Sequence, residues 1–175
     1  MCIRDRVYVI DSENAHELDD GISIERAEDT SRVWVHIHIA DPTAWIDRDH
    51  PFAKLAEHRY ASIYLPESMW PMLPETATSG RMSLNDANKE GMNALSFSAL
   101  VDLESGKVCE YKVRRGKIHN VKIKTYKAVN SIFKNAALRD KSQDSQSERD
   151  LRLLAEAASV IFQRRVQVGG AVNAG

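Results

Sequence analysis

Apolar positions recur along this chain with two different periods. In "VWVHIHIA", Val33, Val35, Ile37 and Ile39 alternate with other residues, a period of two that predicts a strand with one apolar face. "VYVI" (7–10) and "GISIE" (21–25) carry short strand-like runs on either side of a polar gap, and the three segments together predict one sheet. From Pro51 a helical period takes over: Phe52, Leu55, Ala56 and Arg59 or Tyr60 share a face, and proline stands in the first turn, where its missing N–H costs nothing. This helix is expected to pack next to the sheet. "YLPESMWPMLPE" holds three of the five prolines and predicts a stiff, extended loop, whose Met69, Trp70 and Met72 need something to pack on.

Further along, "MNALSFSALVDLESGKVCEYKVRRGKIHN" predicts two strands joined at "ESGK", with Gly106 in the turn. The pattern is helical from Thr125 to Ala137. "DKSQDSQSE" (140–148) is then a polar loop, and Ser147, followed by Glu148 and Asp150, is a plausible start for a helix over 150–168. That helix carries Leu151, Leu154, Ala158, Ile161 and Phe162 on one face. The elements predict a mixed α/β (α+β) domain, a mixed sheet flanked by helices. With no internal repeat and no linker, 175 residues suit one domain.

Charge changes the picture. The net charge of -1 hides an acidic first part, residues 1 to 106, with 9 Lys/Arg against 19 Asp/Glu. Residues 107 to 134 reverse this, with 9 Lys/Arg against the single acid Glu110. Cys2 and Cys109 show neither disulfide nor metal-ligand spacing, which favours a reducing compartment. No apolar run approaches bilayer length and "MCIRDR" lacks the apolar stretch of a signal peptide, so a soluble, intracellular protein without a membrane partner is expected.

The densest charge is "DSENAHELDDG" (11–21), with Asp11, Glu13, Glu17, Asp19 and Asp20 between two strands. Carboxylates this close repel one another, and a folded cluster needs cations or donors to compensate it. Magnesium suits them, because it takes hard oxygen ligands and keeps waters for a phosphate-bearing substrate. A solvated acidic turn is the simpler alternative. An EF-hand calcium loop fails, because His16 stands where glycine is required and Ile22 where the bidentate glutamate is required. His36 and His38 share a strand face, but no cysteine or third histidine completes a zinc set nearby, so they are expected to be ordinary sheet residues. The band "KVRRGKIHNVKIK", including Arg114 and Lys117, is a candidate phosphate-tracking stripe. On a strand only about half of its cations can share a face, and a solvated sheet face is the alternative.

"IDSENAHELDDGIS" resembles the metal-binding signature of the ribonuclease II/R (RNB) family of exoribonucleases: Asp, five residues, Asp, one residue, then two adjacent Asp. Asp11, Glu17, Asp19 and Asp20 fall on those positions, with Glu17 one methylene longer than the usual aspartate. "VHIHIADPTAWI", "ASIYLPESMWPMLPE" and "SGRMSLN" resemble further family segments in the same order, and "IFQRRVQVGGA" more loosely a later helix. "AHE-x-DDG" is nearer the organellar branch. The resemblance covers residues 7 to about 130 well and implies the first part of a catalytic domain, residues 1–175, with an acidic metal loop at 11–21, a basic strand region at 107–127 and a C-terminal helix at about 148–168. Typical members carry cold-shock-like domains before this part and an S1-type domain after it.

The resemblance implies hydrolytic, processive 3'-to-5' degradation of single-stranded RNA to nucleoside 5'-monophosphates. Asp11, Glu17, Asp19 and Asp20 would share the catalytic and metal roles for one or two Mg²⁺ ions. Tyr64 would stack on the terminal nucleotide, with Arg114 and Lys117 on the RNA backbone. Single-stranded RNA is the expected partner, an RNA helicase a candidate partner of the full-length protein, and the location cytoplasmic or mitochondrial, leaning to mitochondrial. The expected transition-state arginines lie beyond this segment, so the segment alone is expected to be a poor nuclease. A non-catalytic RNA-binding module from the same domain is the alternative, and a divalent-ion-binding domain unrelated to RNA a further one.

Overall fold

A computed structural model describes residues 2–3, 6–15, 17–78, 80–85, 90–135 and 144–170. Its strands are β1 (Cys2–Ile3), β2 (Val7–Asp11), β3 (Asp20–Arg26), β4 (Arg32–Ala40), β5 (Ile63–Tyr64), β6 (Met69–Trp70), β7 (Met92–Asp102), β8 (Val108–Ile118) and β9 (Val121–Thr125). Its helices are α1 (Pro51–Arg59), α2 (Glu75–Thr78), α3 (Tyr126–Asn135) and α4 (Gln146–Gln167). Seven strands make one mixed sheet in the order β1-β8-β7-β4-β3-β2-β9, antiparallel through its centre and parallel at both edges, where β1 joins β8 and β9 joins β2. Strands β5 and β6 form a separate ribbon.

The alternation in β4 fixes the two faces. Val33, Val35 and Ile37 stand opposite Val101, Ala99 and Phe97 of β7, and on that side α3 and α4 close a core of Tyr8, Ile24, Val33, Val101, Val129, Leu151, Leu154 and Ala157. On the other side Val7, Val9, Leu84, Met92, Ala94, Ile118 and Val121 form a second, smaller cluster. The intervening β4 residues carry the histidines. His38 is buried and hydrogen-bonded to Ser23 and Ser96, and His36 to Ser98. Burial first, then the neighbouring His36, pushes His38 down to about 4, which keeps it neutral at pH 7.

Helix α4 is pinned by a buried polar contact. The Asp150 carboxylate accepts from Arg6 Nε at 2.8 Å, from the Tyr8 hydroxyl at 2.7 Å and from Gln146 Nε2 at 2.7 Å. Its first turn is closed by a capping box between Ser145 and Glu148, so the helix starts two residues before the expected Ser147. Gly106, at φ +63, leaves the β7–β8 turn with no side chain where the Val160 carbonyl comes close, which lets α4 lie on the hairpin.

Two expectations differ from the fold. Helix α1 buries none of its residues, and Phe52 stays 36% exposed, so it does not pack its apolar face on the sheet. The proline-rich loop folds back as the β5–β6 ribbon, and Trp70 remains 65% exposed rather than packed. Past β8, Asn120, at φ 56, turns the chain, and β9 adds to β2 before α3 begins at Tyr126. The first part of the polar loop, residues 140–143, and the end of the expected helix at 136–137 lie outside the described residues, while 146–148 already belong to α4.

Candidate active site

The acidic loop leaves β2 at Asp11 and re-enters the sheet at Asp20, and backbone contacts fix it between those points. The Asp11 carboxylate accepts from Ser12 N at 2.6 Å, starting the turn. Leu18 is held on both sides, its N–H to Ser83 Oγ at 3.1 Å and its carbonyl to Leu84 N at 2.7 Å. The Asp19 carbonyl accepts from Ala40 N at 2.7 Å, and Asp20 pairs with Ile39 at the start of β3. Leu18 packs on the smaller apolar cluster, so its neighbours Glu17 and Asp19 are carried on a fixed backbone.

Two clefts meet at Glu17. One is mostly apolar, lined by Glu17, Asp19, Ile39, Pro42, Met72 and Leu73 among others. The other, about 320 Å³, is lined by Asp11, Ser12, Asn14, Ala15, Glu17, Tyr64 and Met69. Tyr64 and Met69 are cross-strand partners on the β5–β6 ribbon. Met72 N donating to Ser62 Oγ at 2.9 Å and Arg59 Nη1 donating to the Pro71 carbonyl at 2.6 Å hold the ribbon in place. The Tyr64 ring is 70% exposed, open to a flat partner, and its phenol is pushed up, by desolvation first and then by the charges of Glu17 and Asp19.

Asp19 shows how the carboxylates sense one another. Its carboxyl is pushed above the ordinary carboxylate range, by desolvation against the apolar cleft wall first, then by Glu17, Asp20 and Asp11. All four predicted acids therefore lie within electrostatic reach. Among the described residues no three potential ligands close into a ready metal cage. Hard oxygen donors and mutual repulsion fit a divalent cation that fills the rest of its shell with water or substrate oxygens, as magnesium does.

The two predicted cations part company. Arg114 faces Ser96 on the histidine side of the sheet, and Lys117 faces Asn93 on the other, because they are three residues apart on β8. Sequence reasoning missed Ser83 and Leu84, which anchor the acidic loop. The "SGRMSLN" segment was visible, but its partner Leu18 is far away along the chain.

A family model described as the RNB domain matches residues 3–174. The chain belongs to this family. It is 32% identical, over 94% of its length, to "Ribonuclease II, chloroplastic/mitochondrial" of Arabidopsis thaliana. Among solved structures, its fold matches an active-site mutant of the Dss1 exoribonuclease from Candida glabrata, with TM-score 0.85, 30% identity, and coverage of 99% of this chain and 24% of that one. It also matches Mycoplasma genitalium RNase R in complex with ribose-methylated single-stranded RNA, with TM-score 0.78, 22% identity, and coverage of 93% and 25%. The RNB chain spans only 17% to 19% of the length of the first curated relatives it matches. Among its described residues no helix is long and apolar enough to cross a membrane.

Proposed function

We propose that this RNB chain is the first part of the catalytic domain of a Mg²⁺-dependent exoribonuclease that degrades single-stranded RNA from the 3' end to nucleoside 5'-monophosphates. The observation that carries this reading is the placement of Tyr64 and Glu17 on one cleft wall, with Asp11 in the same cleft and Asp19 in the next. An exposed ring beside clustered carboxylates offers a base platform next to a site for phosphate chemistry.

Asp11, Glu17, Asp19 and Asp20 are the residues that would hold one or two Mg²⁺ ions, which when bound supply Lewis acidity and a more acidic water. Tyr64 orients the last nucleotide by stacking, which tolerates any base. The hydrogen bonds at Leu18 and Asp19 keep the loop from splaying under its own charge. The names of the relatives support an organellar, mitochondrial location. Cleavage of a 3'-labelled and a 5'-labelled single-stranded RNA by the full-length protein, with and without Mg²⁺ and beside Asp20→Asn, tests the reading. Mononucleotide release from the 3' end that needs both Mg²⁺ and Asp20 is the expected result, and cleavage untouched by Asp20→Asn overturns it.

A further inference from the structure

A further cleft, of about 610 Å³, lies across the Asp41–Ala44 turn from the acidic loop and is lined by Asp41, Thr43, Asn93, Arg115, Lys117 and His119 among others. Arg115, Lys117 and His119 come at every second position along β8 and its exit, so a strand places their side chains on one side. Asn93 is the cross-strand partner of Lys117. Arg115 donates Nε to Asp41 Oδ2 at 2.8 Å and Nη2 to Asp41 Oδ1 at 3.2 Å and also to Thr43 Oγ1. This fork neutralises the one carboxylate that lines the cleft among the described residues, and Arg115 holds it below the ordinary carboxylate range. What remains is one net positive charge and a surplus of donors: the Lys117 ammonium, the Asn93 amide, the His119 ring and Nη1 of Arg115, none with a protein acceptor among the described residues. The His119 ring lies against Gly91, where a Cβ would come within 2.5 Å of it, so the glycine gives the ring its place.

We propose that this cleft binds a phosphodiester of the RNA strand other than the one being cut, with Lys117 and His119 as its main contacts. The reading rests on the proposed RNA substrate and adds a path for its backbone. One turn separates the two places: Pro42 lines the cleft of Glu17 and Asp19, while Asp41 and Thr43 line this one, so a strand engaged at the acids runs past it. Phosphate oxygens accept what the cleft donates, and a short charge-assisted bond to an ammonium is a strong contact of this kind.

The test is fluorescence anisotropy with labelled single-stranded RNA and the full-length protein carrying Asp20→Asn, so that the strand stays whole. Lys117→Gln is expected to weaken binding about tenfold and to lower the dependence of log affinity on log salt by about 0.7, the value of one phosphate contact on a single strand. His119→Gln should weaken it less, and Lys134→Gln, an exposed cation on α3, should leave it unchanged. Equal loss from Lys117→Gln and Lys134→Gln would show unlocalised attraction and overturn the site. Uridine 5'-monophosphate separates the strand from the released product: if Lys117→Gln weakens its binding while the RNA salt slope stays put, the cleft holds product and the proposal fails. RNA binding that Lys117→Gln leaves untouched removes this cleft alone, whereas no RNA binding by the parent removes the proposed function as well.

Discussion

Asp150 and Asp19 are the same side chain in opposite surroundings. Both are partly withdrawn from water, which by itself pushes a carboxyl up. At Asp150 the donors Arg6, Tyr8 and Gln146 outweigh that burial and hold the group below its ordinary range. At Asp19 the neighbours are Glu17, Asp20 and Asp11, which add to the upward push. A carboxylate furnished with donors from its own chain is a structural joint. One surrounded by other carboxylates lacks such donors and, on the proposed reading, takes its counter-charge from a bound cation.

The strongest way to break this comparison is to neutralise one acid at each place. Asp20→Asn is expected to cost several kcal/mol at the transition state, about a hundredfold or more in cleavage rate, with the thermal midpoint unchanged or higher. A large loss of folding with retained turnover would reverse the two roles. Asp150→Asn should do the opposite, lowering stability by about 2 to 3 kcal/mol, since it weakens hydrogen bonds to a buried charge, while turnover per folded molecule holds. Because the Asp150 carboxyl is depressed in the fold, its contribution is present above the unfolded aspartate range and is lost as pH falls through the folded value. Denaturant midpoints from pH 7 down to 3 should converge for the wild type and Asp150→Asn, and curves that stay parallel would exclude the contact as the cause.

Smaller effects sharpen the same contrast. Tyr64→Ala should weaken binding of the RNA 3' end by about 2 kcal/mol, the order of one lost base stack, and Tyr64→Phe only slightly. Equal damage from both would assign the effect to the phenol hydroxyl near Glu17 instead of the ring. Smallest of all, Asp19→Asn without divalent ions should raise stability by a few tenths of a kcal/mol, about what relief of one repulsive contact gives. With Mg²⁺ at a hundred times its dissociation constant the order should invert, because the wild type alone gains about 2.7 kcal/mol from binding. Calorimetric melting with and without Mg²⁺ reads both signs.

The parts legible in the sequence are those whose signal is local. The apolar alternation of β4, the β7–β8 hairpin turn and the run of acids from Asp11 to Asp20 each lie within a few residues of one another. The start of α4 was placed two residues late, at Ser147, although Ser145 and Glu148 stand at capping-box spacing. What was not legible depends on distant partners. Nothing near Val121 announces that β9 joins β2, and nothing in "SGRMSLN" shows that Ser83 holds Leu18. Likewise Asp41 gives no local sign that Arg115 will bind it. Arg114 and Lys117 were grouped by composition and separated by the pleat.

The parallel pairing of β9 with β2 also sets an order of events during folding. The antiparallel run β3-β4-β7-β8 is made of neighbours in the sheet, with two hairpin-like links that close short loops. Val7, by contrast, meets Val121 only after nearly the whole described sheet has been made. The entropy of closing so long a loop is repaid late, when α3 and α4 can also dock on Tyr8. Because β2 also pairs antiparallel with β3, both ends of the acidic loop, Asp11 and Asp20, can be anchored before that closure, and β9 adds to an edge already formed. On a ribosome the open edge of β2 beneath the carboxylates would thus be covered last, after β9 has emerged.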